Sequence, residues 1–348
     1  MVVKVKVFVA LLALLPGLNF SCETKKLPAA NEPAVSNQEQ LPENQRKIIV
    51  GAERMQEYLP LLQGKKIALV VNHTSLVGET HLADTLFQLG IQIEKIFAPE
   101  HGFRGTASDG ETVKDSKDAA TGIPILSLYG SKKKPDRQDL ANLDLVIFDI
   151  QDVGARFYTF IYTMTYVMEA CAENNLPLLV LDRPNPNGHF VDGNILKPSH
   201  RSFVGLHEIP VVNGMTVGEY AKMVNGEGWL AGGVRCDLKV IACENYDHRT
   251  AYDLPVKPSP NLPNMRAVYL YPSICFFEGT VVSVGRGTDK QFQVIGAPGF
   301  EKGNFSFTPR PMEGAKNPPQ EGKVCNGYDL THLKPEDLRQ RNTLDLSY

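Results

Sequence analysis

The sequence has no basic stripe, no cysteine framework and no apolar run of bilayer length, and each absence removes a class of function. Its formal net charge is −3 over 348 residues, and no segment interleaves Lys or Arg with aromatics. A nucleic-acid partner is therefore not expected, because that affinity rests on neutralising phosphates. Of the six cysteines, Cys22 belongs to the N-terminal segment. The remaining five, Cys171, Cys236, Cys243, Cys275 and Cys325, are odd in number, widely spaced and without a CxxC. Neither a disulfide set nor a zinc site follows, and most read as small buried hydrophobes. No GxGxxG follows the first strand-like run, so no nicotinamide or flavin is expected, and no other cofactor is implied. No GxSxG marks a serine nucleophile; Ser259, in a proline-rich turn, reads as structural.

What is present begins with a targeting pattern. Lys4 and Lys6 precede an apolar run, Val7 to Leu18, that is too short to span a bilayer as a mature helix. It ends at Phe20-Ser21-Cys22, which is similar to a bacterial lipoprotein cleavage site with Cys22 as the lipidated residue; a plain secretory signal is the alternative. The expectation is a signal peptide over 1–21 and a polar, flexible linker over 22–46. The protein would then be exported, periplasmic or anchored as an outer-membrane lipoprotein, touching a membrane only through its lipid.

From Ile48 onward, apolar runs alternate with helical periodicity. Lys66–Val71, Ile91–Ala98, Pro124–Leu128, Leu143–Ile150, Pro177–Leu181 and Asp237–Ala242 read as strands. Ala52–Leu62, Thr80–Leu89, Asp136–Ala141, Tyr158–Glu173 and Thr216–Asn225 read as helices, the last with a Thr216/Glu219 capping box. Near-continuous apolar strands at this spacing predict a Rossmann-like, doubly wound, mostly parallel α/β sheet over 47–245. From 246 to 348 prolines and glycines become frequent, and Val281–Val284 and Phe292–Ile295 suggest short strands. A smaller C-terminal α+β domain is expected there.

Polar clusters sit at the strand ends, where open α/β sheets bind ligands. The first strand delivers Asn72 and His73, the second Glu100, His101 and Arg104. The fourth delivers Asp149, Gln151, Asp152, Arg156 and Tyr158, and the fifth Asp182, Arg183 and Asn185. Glu100, between Pro99 and a glycine-containing loop, suits a general acid; pairing with Arg104 to pin the loop is the structural alternative. His73, His101, Glu100 and Asp149 would make a His₂-carboxylate set, but no HxH or HExxH is present, and metal is not the expectation. Further on, Glu278, Arg286 and Asp289 present charge from a glycine-rich run; an internal Arg286–Asp289 pair is the alternative there.

These blocks together resemble the bacterial exo-β-N-acetylmuramidase family, NamZ-like glycoside hydrolases first catalogued as a domain of unknown function. The segments that carry the resemblance are VNHTS (71–75), APEHGFRG (98–105), DLVIFDIQDVGARFYTFIYTM (144–164), LDRPNPNG (181–188), NGMTVGEY (213–220), PSPNLP (258–263) and YPSICFFEGTVVSVGRGTDKQFQVIGAP (271–298). The resemblance implies a Rossmann-like domain paired with a smaller one and a site in the cleft between them. It implies exo-acting release of N-acetylmuramic acid from the non-reducing end of peptidoglycan fragments, with the glutamate of the PEHG block, here Glu100, as a catalytic residue. Glu278 is the leading second carboxyl, ahead of Asp289, Asp149 and Asp152. Muramate carries a lactyl carboxylate, so an arginine able to grip it is expected among Arg104, Arg156, Arg183 and Arg286. Two other functions compete: a non-catalytic lipoprotein that binds wall sugars, and a metal-dependent hydrolase.

Overall fold

The structure, a computed structural model, describes residues 46–104 and 115–347. The signal segment, Cys22 and the linker up to residue 45 lie outside the described residues. In chain order the elements are α1 (Met55–Leu62), β1 (Lys66–Val71), β2 (Leu76–Val77), β3 (Thr80–His81), α2 (Leu82–Gln88), β4 (Gln92–Ala98), β5 (Ser116–Lys117), β6 (Pro124–Ser127), β7 (Leu145–Asp149), α3 (Phe160–Glu173), β8 (Leu178–Leu181), α4 (Val217–Glu227) and β9 (Leu238–Ile241). There follow α5 (Met265–Ile274), β10 (Val294–Ala297), β11 (Phe305–Phe307), β12 (Cys325–Asp329) and α6 (Pro335–Arg339).

Seven strands form the central sheet in the order β5-β6-β4-β1-β7-β8-β9. All pairings are parallel except β5 with β6. From β1 the chain moves outward through β4 to β6, then returns to β7 and moves the other way. The order thus reverses between β1 and β7, the switch point at which doubly wound sheets open a crevice.

Although the strands are apolar on both sides, their alternation still sorts the core. Ala68, Val70, Val146, Phe148, Leu178 and Val180 face a cluster that includes Val167 and Met168 of α3 and Ala221 of α4. Ile67, Leu69, Leu145, Ile147, Leu179 and Leu181 face the cluster holding Tyr58 and Leu62 of α1 and Leu86 of α2. Helices therefore cover both faces, and burying each large aliphatic side chain contributes about 1.5–3 kcal/mol.

The smaller C-terminal domain carries a three-stranded antiparallel sheet in the order β10-β12-β11. Its helix α5 was not legible in the sequence, because Pro272 lies inside it and proline argues against a helix interior. Val268, Leu270 and Ile274 of α5 nonetheless share the larger core cluster with α3. Two expected elements are corrected. Residues 136–141 form a turn rather than a helix, because the Asp136 carboxylate accepts the amides of Gln138 and Asp139 at 2.8 and 2.9 Å and offers the backbone a local alternative. Residues 281–284 form no strand, only a single bridge from Ser283 to Gly296. The capping box of α4 is present, with the Thr216 hydroxyl accepting from the Glu219 amide and the Glu219 carboxylate accepting from the Thr216 amide.

Candidate active site

At the carboxyl edge of the sheet the chain turns sharply after β4. His101 and Gly102 both take left-handed backbone angles, φ 68° and 77°, a conformation uncommon for a residue with a Cβ. Glu100, one residue earlier, lines a cavity of about 330 Å³ together with His101. The Glu100 carboxylate accepts a hydrogen bond from the Thr159 hydroxyl at 3.0 Å, so the loop after β7 holds the carboxyl after β4.

The cavity is largely aromatic. Tyr129, Phe157, Tyr158, Phe160, Phe203, Tyr271 and Phe292 contribute to its walls. Tyr158 packs edge-on against Phe160 at 4.9 Å and Tyr271 at 6.0 Å, and Tyr271 against Phe292 at 5.0 Å. Such edge-to-face contacts fix ring orientation. The Tyr158 hydroxyl donates to the Pro258 carbonyl at 2.8 Å, and burial pushes its pKa well above the usual value, with Asp152 and Glu100 adding to the shift. Ser259, Asn261 and Leu262 complete this wall; Asn261 is anchored through its amide nitrogen to the Gly314 carbonyl at 2.9 Å. Glu278 and Arg286 also line the cavity, joined by an ion pair at 2.9 Å. Thus Glu100, from the α/β domain, and Glu278, from the smaller one, line the same space.

Of the residues singled out by sequence, Glu100, His101, Tyr158, Glu278 and Arg286 line this cavity. The rest take other positions. Asp149 is fully buried and grips Arg183, Nε to Oδ1 at 2.5 Å and Nη2 to Oδ2 at 2.8 Å. Asp182 accepts from the Gly218 amide at 2.7 Å and the Thr216 hydroxyl at 2.8 Å, capping α4 from outside that helix; burial holds its carboxyl up at about 6. Asn185 donates to the Met215 carbonyl at 2.9 Å. It also fills the space over Gly154, whose φ is +76° and where a Cβ would lie 2.3 Å from the Asn185 amide. Only glycine suits that position.

The switch-point loops are tied together by their own polar groups. The Gln151 amide donates to the Thr74 hydroxyl at 3.0 Å, and that hydroxyl donates to the Asn72 side-chain oxygen at 2.6 Å. The Ser75 hydroxyl donates to the Asp149 carbonyl, and the Gln151 side chain donates to the Asp152 and Pro184 carbonyls at 2.8 and 2.7 Å. One Asp152 oxygen accepts from the Gly154 amide at 2.7 Å while the other has no partner, and burial lifts the carboxyl to about 7.

His73 bonds the Lys257 carbonyl through Nε2 at 2.8 Å, holding the 257–263 segment over β1. Arg104 pairs with Asp118 at 2.9 Å and Asp84 at 3.5 Å, not with Glu100. Asp289 is exposed, and Arg286 pairs with Glu278 rather than with it. Arg156 lies in an adjoining cavity. Among the described residues no group of three or more His, Cys, Asp or Glu is arranged to hold a metal ion.

Apart from Tyr158, sequence reasoning passed over the aromatic wall. The density of rings in Phe157-Tyr158-Thr159-Phe160 was the available signal, but aromatic runs are also core material. Phe203 carried no signal; it lies in a loop and is placed by Tyr166, stacked at 6.3 Å, and by the Lys133 ammonium 4.2 Å from its ring. Ser259, expected to be structural, lines the cavity as well.

Fold and site together define a two-domain α/β protein with a carboxyl-bearing, aromatic-walled cavity at the carboxyl edge of its sheet. The chain belongs to the exo-β-N-acetylmuramidase NamZ family: the N-terminal family model matches residues 67–266 and the C-terminal one residues 269–345. It is 45% identical over 252 residues to the peptidoglycan β-N-acetylmuramidase NamZ of Bacillus subtilis (strain 168). That match covers 70% of this chain and 59% of the Bacillus protein. Two crystal structures of DUF1343 family proteins from Bacteroides fragilis share the fold. One is 51% identical with a TM-score of 0.79, covering 87% of this chain and 81% of that one. The other is 28% identical with a TM-score of 0.72, covering 83% and 78%.

Proposed function

We propose that the protein is an exo-acting glycosidase that releases N-acetylmuramic acid from the non-reducing end of peptidoglycan fragments, working in the cleft between its two domains. The observation that carries this reading is the pair Glu100 and Glu278 lining one aromatic-walled cavity, in a chain that belongs to this family. Aromatic faces suit the apolar faces of a sugar ring, and two carboxyls suit an oxocarbenium-like transition state. Glu100, oriented by Thr159, is the general acid that protonates the departing glycosidic oxygen. Glu278, held by Arg286, supplies negative charge beside the anomeric centre.

Incubation of the purified protein with a chromogenic N-acetylmuramide, with and without chelator, tests the reading. Release of the chromophore unaffected by chelator is expected, and free N-acetylmuramic acid should be the first sugar released from a longer saccharide. Binding without turnover would instead identify a wall-sugar-binding protein, and abolition by chelator a metal-dependent hydrolase. We further propose export and lipid anchoring through Cys22, on the strength of the basic-apolar start of the sequence. Labelled palmitate should enter the parent and not Cys22→Ala; equal labelling would remove the anchor.

A further inference from the structure

Four arginines lie in the strand-end and glycine-rich motifs, and three are matched to carboxylates. Arg183 holds Asp149, Arg104 holds Asp118 and Asp84, and Arg286 holds Glu278. Arg156 differs. Its side chain is buried, the residue being 4% exposed, yet among the described residues it forms no ion pair with a carboxylate. Nη1 donates to the carbonyls of Asn194 at 2.6 Å and Ile209 at 2.7 Å, and Nε has no hydrogen-bond partner. The ionisable groups that bear on it are Tyr162 and Cys275, and burial raises the pKa of both, so each stays protonated and neutral. The acids nearest in sequence to its carbonyl partners are occupied elsewhere: Glu208 pairs with Arg201, and Asp192 accepts from the Gly193 and Leu344 amides. A buried cation without a counter-ion is unfavourable, and such a group calls for an anion.

Arg156 lines a cavity of about 360 Å³ with Asn194, Lys197, His200 and Ser202. Lys197 and His200 are exposed at its rim. This cavity adjoins the aromatic one, sharing Phe157 and Val204. We infer that it is an anion subsite, built on the Arg156 guanidinium and rimmed by Lys197 and His200, which takes a carboxylate carried by the bound saccharide. The identity of the saccharide rests on the proposed function; the anion requirement rests on Arg156. Two carboxylates share the chemistry: the lactyl group of the sugar in the aromatic cavity, and that of a muramyl unit further along the same chain.

Calorimetric titration of the full chain reads the subsite without turnover. The ligands are N-acetylmuramic acid, a muramyl–glucosaminyl–muramyl trisaccharide whose first glycosidic oxygen is replaced by sulfur so that it resists cleavage, and the methyl ester of each. At least one acid should bind the parent about tenfold or more tighter than its ester, as expected for a desolvated charged hydrogen bond. Arg156→Gln should close that gap. Lys197→Met, an exposed rim change that leaves the core untouched, should narrow it roughly two- to fivefold and carries the test if Arg156→Gln does not fold. A gap with the monosaccharide assigns the subsite to the lactyl group of the bound sugar; a gap with the trisaccharide alone assigns it to the downstream unit. Acids and esters that bind alike, or a gap that both variants leave intact, overturn the subsite. Turnover is scored separately. A parent that cleaves an aryl muramide but shows no gap loses only the subsite, and one that shows the gap without cleaving any muramide loses only the glycosidase reading.

Discussion

Two carboxylate–arginine pairs mark the two regions that matter most here, and they do different things with the same chemistry. Asp149 and Arg183 join strands β7 and β8 beneath the loops, with side chains 0% and 2% exposed. Glu278 and Arg286 sit at the cavity, 30% and 15% exposed. In the interior a pair is held because neither partner can find water, and its geometry is closed. At the cavity wall, water or a ligand can replace either partner. A charged motif at a strand end is therefore framework when its counter-charge is buried with it, and available to a ligand when one side remains open.

The largest expected effect tests the buried pair. Arg183→Ala leaves Asp149 charged, buried and unpaired, which costs about 3–5 kcal/mol. Urea denaturation should show a midpoint far below the parent's, and an unchanged midpoint would mean the pair does not hold the sheet edge. Arg286→Ala is the matched control and should cost less than Arg183→Ala, because Glu278, 30% exposed, keeps access to water.

The cavity side should respond in rate rather than stability. Glu100→Gln is expected to lose at least about a hundredfold in turnover on a natural disaccharide, since general acid catalysis contributes roughly 10²–10⁴-fold, while unfolding at the parent's urea midpoint. The loss should shrink with an activated aryl leaving group. A variant as active as the parent on the disaccharide would take Glu100 out of the chemistry.

Between these regions lies the contact of Gly154 with Asn185. Gly154→Ala forces a left-handed residue with a Cβ against the Asn185 amide, so a loss of about 1–3 kcal/mol is expected. Pairing it with Asn185→Ala in a double-mutant cycle should recover part of that loss. Strict additivity would show that backbone strain alone is at work.

The smallest effect is a slope. Asp152 titrates near 7 in the folded chain, above the ordinary 3.8, because burial disfavours its charge. Between about pH 4 and 7 the folded state keeps a proton that the unfolded state releases. Its contribution to stability is thus fully present below about pH 4 and is lost as pH rises through 7. Asp152→Asn should flatten stability against pH over that window. An unaltered slope in the variant would assign the dependence to other groups.

The alternation of strands and helices, the doubly wound sheet and the position of Glu100 at a strand end were all legible in the sequence. Buried strands announce themselves through unbroken apolar runs, and a capping box such as Thr216/Glu219 is written within four residues. These are local signals, set by side-chain chemistry and backbone propensity over a few positions. The helix at 265–274 was masked for a local reason as well, the proline it contains.

The partners were not legible. Arg183 meets Asp149 across 34 positions and Tyr158 meets Pro258 across 100, so no spacing rule links them. Arg104, Arg156, Arg183 and Arg286 look alike as residues beside a motif. Tertiary packing alone decided that three would be matched to carboxylates and that Arg156 would be buried with backbone carbonyls. It also decided that Phe203, in an unremarked loop, would stand in the same wall as Tyr158. Sequence determines which groups are offered at the edge of the sheet; which of them are neutralised depends on what the fold brings within a few ångströms, where desolvation and pairing set the outcome.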